Sequence, residues 1–203
     1  MLPAAVVILV NLLSARAWRL AAGWALWFGA AMILVVVTKL AFIGWGIGNQ
    51  SWDFTGLSGH ATRACAVLPV FGYLICQTAD ARCRTVGVGI GTILGLLIAF
   101  SRIAVHVHSV AEAASGALLG LLVAAIFVRA ARRFEMPGRG LWLTLAALAG
   151  LLVNMVGEPA PSQQMLTGIA LTLSGHSRPF TRADWTRVPR GSRSSARSDN
   201  LSS

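Results

Sequence analysis

Residues 58–112 read SGHATRACAVLPVFGYLICQTADARCRTVGVGIGTILGLLIAFSRIAVHVHSVAE. Polar side chains cluster at the two ends of this stretch: Ser58-Gly59-His60 at one, and Ser101-Arg102 with His108 and Glu112 at the other. The two apolar runs between them predict a membrane hairpin that returns to the face from which it started. Both clusters would then lie at one membrane surface. Ionisable residues in such places are functional candidates, because burying them in lipid is costly.

The composition of the whole chain is that of a membrane protein. Of 203 residues, 56% are hydrophobic and 12% are charged, whereas about a quarter are charged in an ordinary soluble domain. A hydrocarbon core of about 30 Å needs roughly 20 apolar residues per helix. Apolar runs lie at 1–13, 21–38, 61–78, 86–100, 111–128 and 141–157, with a shorter run at 165–173. We predict an all-α polytopic membrane bundle of six transmembrane helices with a possible short seventh, formed by residues 1–176.

Basic residues are distributed unevenly among the predicted connections. The first, third and fifth connections hold many and the others few: Arg16, Arg19, Arg82, Arg84, Arg129, Arg132, Arg133 and Arg139, against Lys39, Arg63 and Arg102. Short cytoplasmic loops are enriched in Lys and Arg, so both polar clusters are predicted at the external or periplasmic face of the plasma (inner) membrane. Because Arg16 and Arg19 follow the first apolar run, a cleaved signal peptide is the poorer interpretation.

Part of the net charge of +10 lies in the tail, residues 177–203, which has six arginines and two aspartates, is rich in serine and is poor in apolar residues. This composition is typical of disorder, and a basic cytoplasmic tail is attracted to anionic lipid headgroups. Nucleic acid is not predicted as a partner, because no aromatic stacking platform accompanies the arginines. Cys65, Cys76 and Cys83 lack metal-ligand spacing and are interpreted as packing residues. No metal or cofactor is predicted.

The second polar cluster has the spacing of a catalytic pair. If a helix begins near His108, Glu112 projects from the same face four residues later. Its carboxylate can accept a hydrogen bond from one imidazole nitrogen, which fixes the tautomer and leaves the other nitrogen free to attack an electrophile. Arg102 offers planar charged donors that suit phosphate oxygens. A turn is needed between Arg102 and His108 if both are to meet one substrate.

The first cluster complements the second. Ser58-Gly59-His60 directly precedes an apolar helix, so its backbone N–H groups can form an anion site. His60 can act as the general acid that protonates a leaving oxygen. Lys39 ends the preceding apolar run on the same side of the membrane and adds a positive charge. Phosphoryl transfer needs mainly this kind of positioning and charge stabilisation.

Other interpretations of these residues stay open. His108 and Glu112 alone can form a structural polar pair between helices. His106 with His108 would be two ligands of a metal site that lacks a third. Asp53 either pairs with Lys39 or is solvated. The triplet recurs at residues 174–176, where no partner motif follows it, and is interpreted there as a chance match.

With these motifs the chain resembles the type 2 phosphatidic acid phosphatase superfamily over residues 39–128. The signature of that superfamily has three parts, K-x6-R-P, P-S-G-H and S-R-x5-H-x3-D. The third part is present from Ser101 to Glu112, and the second from Leu57 to His60. The first part is incomplete, because the position seven residues after Lys39 is Gly46. Arg63 is a candidate to replace the missing arginine.

The resemblance implies a six-helix bundle with a metal-independent phosphatase site at its outer face. His108 would be the nucleophile that forms a phosphohistidine, Glu112 its orienting carboxylate, and His60 the general acid. The implied phosphate-binding residues are Lys39, Ser58, Gly59, Ser101 and Arg102. The predicted function is hydrolysis of a lipid phosphate or diphosphate. The alternatives are a lipid phosphotransferase and a non-catalytic anion-binding protein or transporter, and the identity of the lipid stays open.

Overall fold

The computed structural model describes residues 2–134 and 162–185, and this part of the chain is helical. Its helices are α1 (Leu2–Ser14), α2 (Trp18–Trp45), α3 (Gly59–Ile75), α4 (Ala81–Ala104), α5 (Val110–Ala131), α6 (Ser162–Ser174) and α7 (Arg182–Trp185). A 3-10 turn, Gln50–Trp52, lies in the loop between α2 and α3. The described residues contain no strand, only an isolated antiparallel bridge between Asn49 and Phe54. The predicted all-α class is confirmed.

Three of the described helices, α2, α4 and α5, are long and apolar enough to cross a membrane. Helix α1 and most of α6 are shorter apolar helices, and α3 has 17 residues. The predicted span at 141–157 lies outside the described residues, so the count of six transmembrane helices stays a prediction. Large apolar side chains on α2, α4 and α5 are exposed, among them Ile33, Leu97 and Leu118. These helices and their apolar exteriors make the chain a membrane protein.

Helix α3 is the centre of the bundle. It packs most extensively against α4 and α5, and nearly all of its side chains from Ala61 to Leu74 are buried. Helices α1 and α2 lie next to this core, where the Trp24 indole N–H donates to the Ala5 carbonyl over 3.0 Å. The Trp24 ring also meets Phe127 of α5 edge-on, with ring centroids 5.6 Å apart. The first two helices are thereby tied to α5, which carries half of the site.

Small residues let α4 and α5 approach α3 closely. A Cβ added to any of five glycines would lie within about 3.1 Å of α3 or its N-cap: Gly87, Gly91, Gly95, Gly116 and Gly120. Close packing through small residues is usual between membrane helices, and the sequence predicts it here. A Cβ on Gly116 would lie 2.6 Å from the Ser58 carbonyl oxygen. Because Gly116 lies one turn after Glu112, this approach fixes the separation of the two polar clusters.

The cysteines differ in their surroundings. Cys65 is buried in the core, as expected of a packing residue. Cys76 and Cys83 lie at the turn between α3 and α4, and their Sγ atoms are 2.8 Å apart. This thiol–thiol contact goes beyond the packing role that the sequence predicts for these two residues.

The beginning of the C-terminal tail differs from the prediction of disorder from residue 177 onward. Residues 175–185, which we call the strap, fold against the C-terminal end of α2. The Phe180 N–H donates to the Ile43 carbonyl over 2.9 Å, and His176 Nδ1 lies 2.9 Å from the Gly44 carbonyl oxygen. The physical reason is the pair of aromatic residues Phe180 and Trp185, which pack on α2 and the loop after it. Residues 186–203 of the predicted tail lie outside the described residues.

Candidate functional site

The N-terminus of α5 positions His108 and Glu112. Ser109 is the N-cap, and its Oγ accepts a hydrogen bond from the Glu112 N–H at 3.2 Å. The Glu112 carboxylate accepts in return from the Ser109 N–H at 3.3 Å, which completes a capping box. The same carboxylate oxygen, Oε2, lies 2.8 Å from His108 Nδ1. The predicted four-residue pair is therefore formed, and local helix-capping chemistry holds it in place.

The second oxygen of Glu112 is also fully engaged. Oε1 accepts from the Thr55 N–H at 2.8 Å, from the Thr55 hydroxyl, and from Arg182 Nη2 at 3.0 Å. The Glu112 side chain is only 1% exposed, whereas that of His108 is 10% exposed. A buried, ionised carboxylate that receives this many donors has a fixed orientation. It favours the tautomer in which His108 Nδ1 carries the proton and Nε2 carries the lone pair.

A polar cleft of about 220 Å³ opens beside this pair. Its lining residues come from α2, the α2–α3 loop, the turn between α4 and α5, the first turn of α5 and the strap: Lys39, Phe42, Ile43, Thr55, Gly56, Val107, His108, Glu112 and Arg182. Gly56 has a φ of +135°, which favours glycine, and a Cβ there would lie 3.2 Å from Lys39 Cγ. The cleft thus combines two cations with an oriented imidazole, an arrangement that suits a bound anion.

The first polar cluster lies at the N-terminus of α3 and is tied to α5. Ser58 is fully buried, and its N–H donates to the Glu112 carbonyl over 3.1 Å. Its hydroxyl oxygen accepts from the Ala61 N–H at 3.4 Å, so Ser58 is the N-cap of α3. Gly59 is buried beside it and His60 is exposed. Arg63, Arg102 and Lys39 place positive charge near His60.

The turn that the sequence requires between Arg102 and His108 is present. The backbone N–H groups of Val107 and His108 both donate to the Arg102 carbonyl, and His106 adopts a positive φ of 54°. His106 is exposed. The Ser101 hydroxyl donates to the Ile98 carbonyl over 2.8 Å. Ser101 and Arg102 are not among the residues that line the cleft, and their phosphate-binding roles stay predictions, as do those of Ser58 and Gly59.

Two residues of the site are absent from the prediction, Thr55 and Arg182. Thr55 donates twice to Glu112, and Arg182 bridges Glu112 and Asp53, with Arg182 Nε 2.9 Å from Asp53 Oδ1. Asp53 therefore pairs with Arg182 instead of Lys39, and about half of its side chain, 53%, stays exposed. The sequence feature that could have indicated Arg182 is the pair of aromatic residues around it, Phe180 and Trp185, which dock the strap on α2. Within residues 2–134 and 162–185, no three His, Cys, Asp or Glu side chains are grouped to hold a metal ion.

Comparisons with known proteins agree with the motifs. The family model of the PAP2 superfamily matches residues 40–136. A Klebsiella pneumoniae protein described as "Uncharacterized 22.5 kDa protein in cps region" is 34% identical over 189 residues. The similarity covers 91% of this chain and 90% of that protein. No solved structure matches the chain.

Proposed function

Because the chain belongs to the PAP2 superfamily, we propose that it is a membrane phosphatase that hydrolyses a lipid phosphate or diphosphate through a phosphohistidine on His108. Membership of the superfamily indicates phosphatase-type activity in general. The observation that carries the finer proposal is the 2.8 Å contact between His108 Nδ1 and the buried carboxylate of Glu112. This contact leaves His108 Nε2 as the nucleophilic nitrogen at the wall of a cationic cleft.

The first chemical step is attack of His108 Nε2 on the phosphorus atom. The N–P bond forms, the P–O bond to the lipid breaks, and the electron pair leaves with the lipid oxygen. His60 donates a proton to that oxygen. Glu112 stabilises the positive charge that develops on the His108 ring, as the carboxylate of a catalytic triad does. Lys39 balances the negative charge on the phosphate oxygens.

The second step regenerates the enzyme. Water attacks the phosphorus of the phosphohistidine, His60 removes a proton from that water, and the N–P bond breaks with its electron pair returning to His108 Nε2. Inorganic phosphate is then released. In this scheme His60 donates and accepts one proton per turnover, and His108 supplies the nucleophile.

The position of the cleft supports a lipid as the substrate. It lies at the C-terminal end of α2 and the N-terminal end of α5, two helices long and apolar enough to span a membrane. The phosphate of a membrane lipid is held at the depth where such helices end. The distribution of basic residues in the sequence supports the external or periplasmic face of the inner membrane for this end of the bundle.

The test is release of inorganic phosphate by the detergent-purified protein. The substrates are phosphatidic acid, phosphatidylglycerol phosphate and a polyprenyl diphosphate, each in mixed micelles. The variant is His108→Ala, and the matched control is His106→Asn, because His106 is exposed two residues away and Asn tolerates its positive φ. We expect release by the wild type and the control, and none by His108→Ala. Equal release by all three proteins, or none by the wild type, would contradict the proposal.

A further inference from the structure

One of the two cations in the cleft comes from a part of the chain that no motif includes. Arg182 begins α7 and is 70 residues from Glu112 in sequence. Its Nη2 lies 3.0 Å from Glu112 Oε1, and its Nε lies 2.9 Å from Asp53 Oδ1. The side chain is 39% exposed and lines the same cleft as Lys39 and His108.

We propose that Arg182 is a phosphate-binding residue, brought to the cleft by the docked strap. The assignment rests on the proposed function, because it places a phosphate group in this cleft. A guanidinium offers planar paired donors that match two phosphate oxygens at once, which the single ammonium of Lys39 does not. The exposed part of the Arg182 side chain is the part that an entering phosphate can reach.

The contacts of Arg182 leave donors for a phosphate. A guanidinium has five N–H donors. Nη2 donates to Glu112, whereas the buried Nε–H, although its nitrogen is 2.9 Å from Asp53 Oδ1, makes no hydrogen bond with the residues that the structure describes. No hydrogen bond to another described residue occupies Nη1. Glu112 also keeps Thr55, Ser109 and His108 as partners when Arg182 turns toward a substrate. Phosphate binding therefore need not leave a bare carboxylate in the protein interior.

The docking site of the strap is the glycine-rich stretch that follows Lys39. Three glycines there each lie against one side chain from the end of α6 or from the strap. A Cβ on Gly44 would lie 3.3 Å from Ser174 Cβ, one on Gly46 would lie 3.0 Å from the Phe180 ring, and one on Gly48 would lie 3.0 Å from the Trp185 ring. A side chain at position 46 would press on the Phe180 ring, which would have to shift, and the positive φ of Gly46, 69°, also disfavours other residues there.

Internal bonds of the strap hold Arg182 in its orientation. Asp184 Oδ2 accepts from the Thr181 N–H and from the Thr181 hydroxyl, each over 2.9 Å. Its Oδ1 pairs with Arg178 Nη1 at 2.9 Å. The Thr181 backbone N–H and then Arg178 lower the pKa of Asp184 to about 2. The carboxylate is therefore ionised at neutral pH, and the turn that starts α7 keeps its geometry there.

The test uses inorganic phosphate as the probe and the full-length protein in detergent. Isothermal titration calorimetry compares the wild type with Arg182→Gln, with Phe180→Ala, and with Arg82→Gln as the matched control. We expect Arg182→Gln to weaken phosphate binding about ten- to hundredfold, the loss typical of a hydrogen bond to a charged group. Phe180→Ala removes the ring that docks the strap over Gly46, and we expect it to weaken phosphate binding as well. Arg82→Gln removes the same charge from an exposed side chain at the start of α4, which does not line the cleft, and has little effect.

The outcomes separate this assignment from the proposed function. Phosphate binding that depends on Arg182, in a protein that releases no phosphate from any lipid, supports the assignment and contradicts the phosphatase. Release that depends on His108 but is unchanged in KM by Arg182→Gln supports the phosphatase and overturns the assignment. Unchanged or tighter phosphate binding by Arg182→Gln also overturns it. Tighter binding would mean that Arg182 blocks the entry of phosphate to the cleft. Absence of phosphate binding by the wild type overturns it as well.

Discussion

The substitution Glu112→Gln tests the orientation of the proposed nucleophile. It keeps the size of the side chain and removes its charge. Three donors converge on Oε1, from the Thr55 N–H, the Thr55 hydroxyl and Arg182. The amide oxygen therefore takes that position, because an NH₂ group there would face three donors. The NH₂ group then points at His108 Nδ1, which must accept, so the proton moves to Nε2 and the nucleophilic lone pair is lost.

The expected cost is about 10³- to 10⁴-fold in kcat, the scale of a wrong histidine tautomer, which corresponds to about 4 to 5.5 kcal/mol of activation free energy. Glu112→Asp is the matched control, because it keeps the charge and shortens the side chain by one methylene. We expect it to lose only about 100-fold, the scale of a 1 Å misplacement. The assay is steady-state phosphate release from a short-chain phosphatidic acid in micelles. A Gln variant with kcat within tenfold of the wild type, or above the Asp variant, would show that Glu112 does not set the tautomer of His108.

Three smaller predictions concern the supports of the site. Thr55→Val removes the hydroxyl donor to Glu112 and should lower kcat about tenfold with KM little changed, which steady-state kinetics measures; an unchanged kcat would contradict it. Ser109→Ala removes the N-cap of α5 and should reduce the free energy of unfolding by about 1 kcal/mol; thermal unfolding in detergent checks this, and an unshifted midpoint contradicts it. Gly116→Val places a side chain against the Ser58 carbonyl and should cost about 1 to 3 kcal/mol of stability in the same unfolding assay. Gly89→Val, at a position with nothing within 4 Å, should cost much less, and equal costs would contradict the close approach.

The parts of the site that depend on local spacing could be predicted from the sequence. His108 and Glu112 are four residues apart, and the helix that begins at Val110 brings them together. The tie between Ser58 and Glu112 follows from close packing of α3 and α5 at Gly116, and small-residue spacing predicts that packing. The first contact joins residues that are close in sequence, and the second follows from a regular spacing of small residues.

Arg182 could not be predicted from the sequence by the same means. Its contact with Glu112 spans 70 residues, and no periodic pattern connects the two positions. The polar composition of residues 177–203 as a whole predicts disorder, although Phe180 and Trp185 supply enough apolar surface to dock the strap. An average over the tail conceals these two anchors.

The incomplete first motif did not indicate what replaces its arginine and proline. The residue at the arginine position is Gly46, and its missing side chain is what leaves room for Phe180. The consequence of that glycine becomes visible only when the strap is docked, because Phe180 lies far away in sequence. The relation between the missing motif residue and the distant Phe180 is therefore visible only in the folded structure.

The presence of glutamate at position 112, where the superfamily signature has aspartate, also has a physical reason in the structure. A glutamate three residues after the N-cap completes a capping box with Ser109. The same side chain reaches His108 through Oε2 and Thr55 through Oε1. The additional methylene thus lets one carboxylate cap α5, orient the imidazole and hold the α2–α3 loop.

The proposed phosphohistidine is tested most directly by trapping it. The purified protein is mixed with a phosphatidic acid carrying a radiolabelled phosphate, quenched in base within the first turnover, and digested for peptide mapping. We expect label on the peptide that contains His108, stable in base and labile in acid, and no label in His108→Ala. Phosphate release by the wild type without any protein-bound label, or label that persists in His108→Ala, would contradict it.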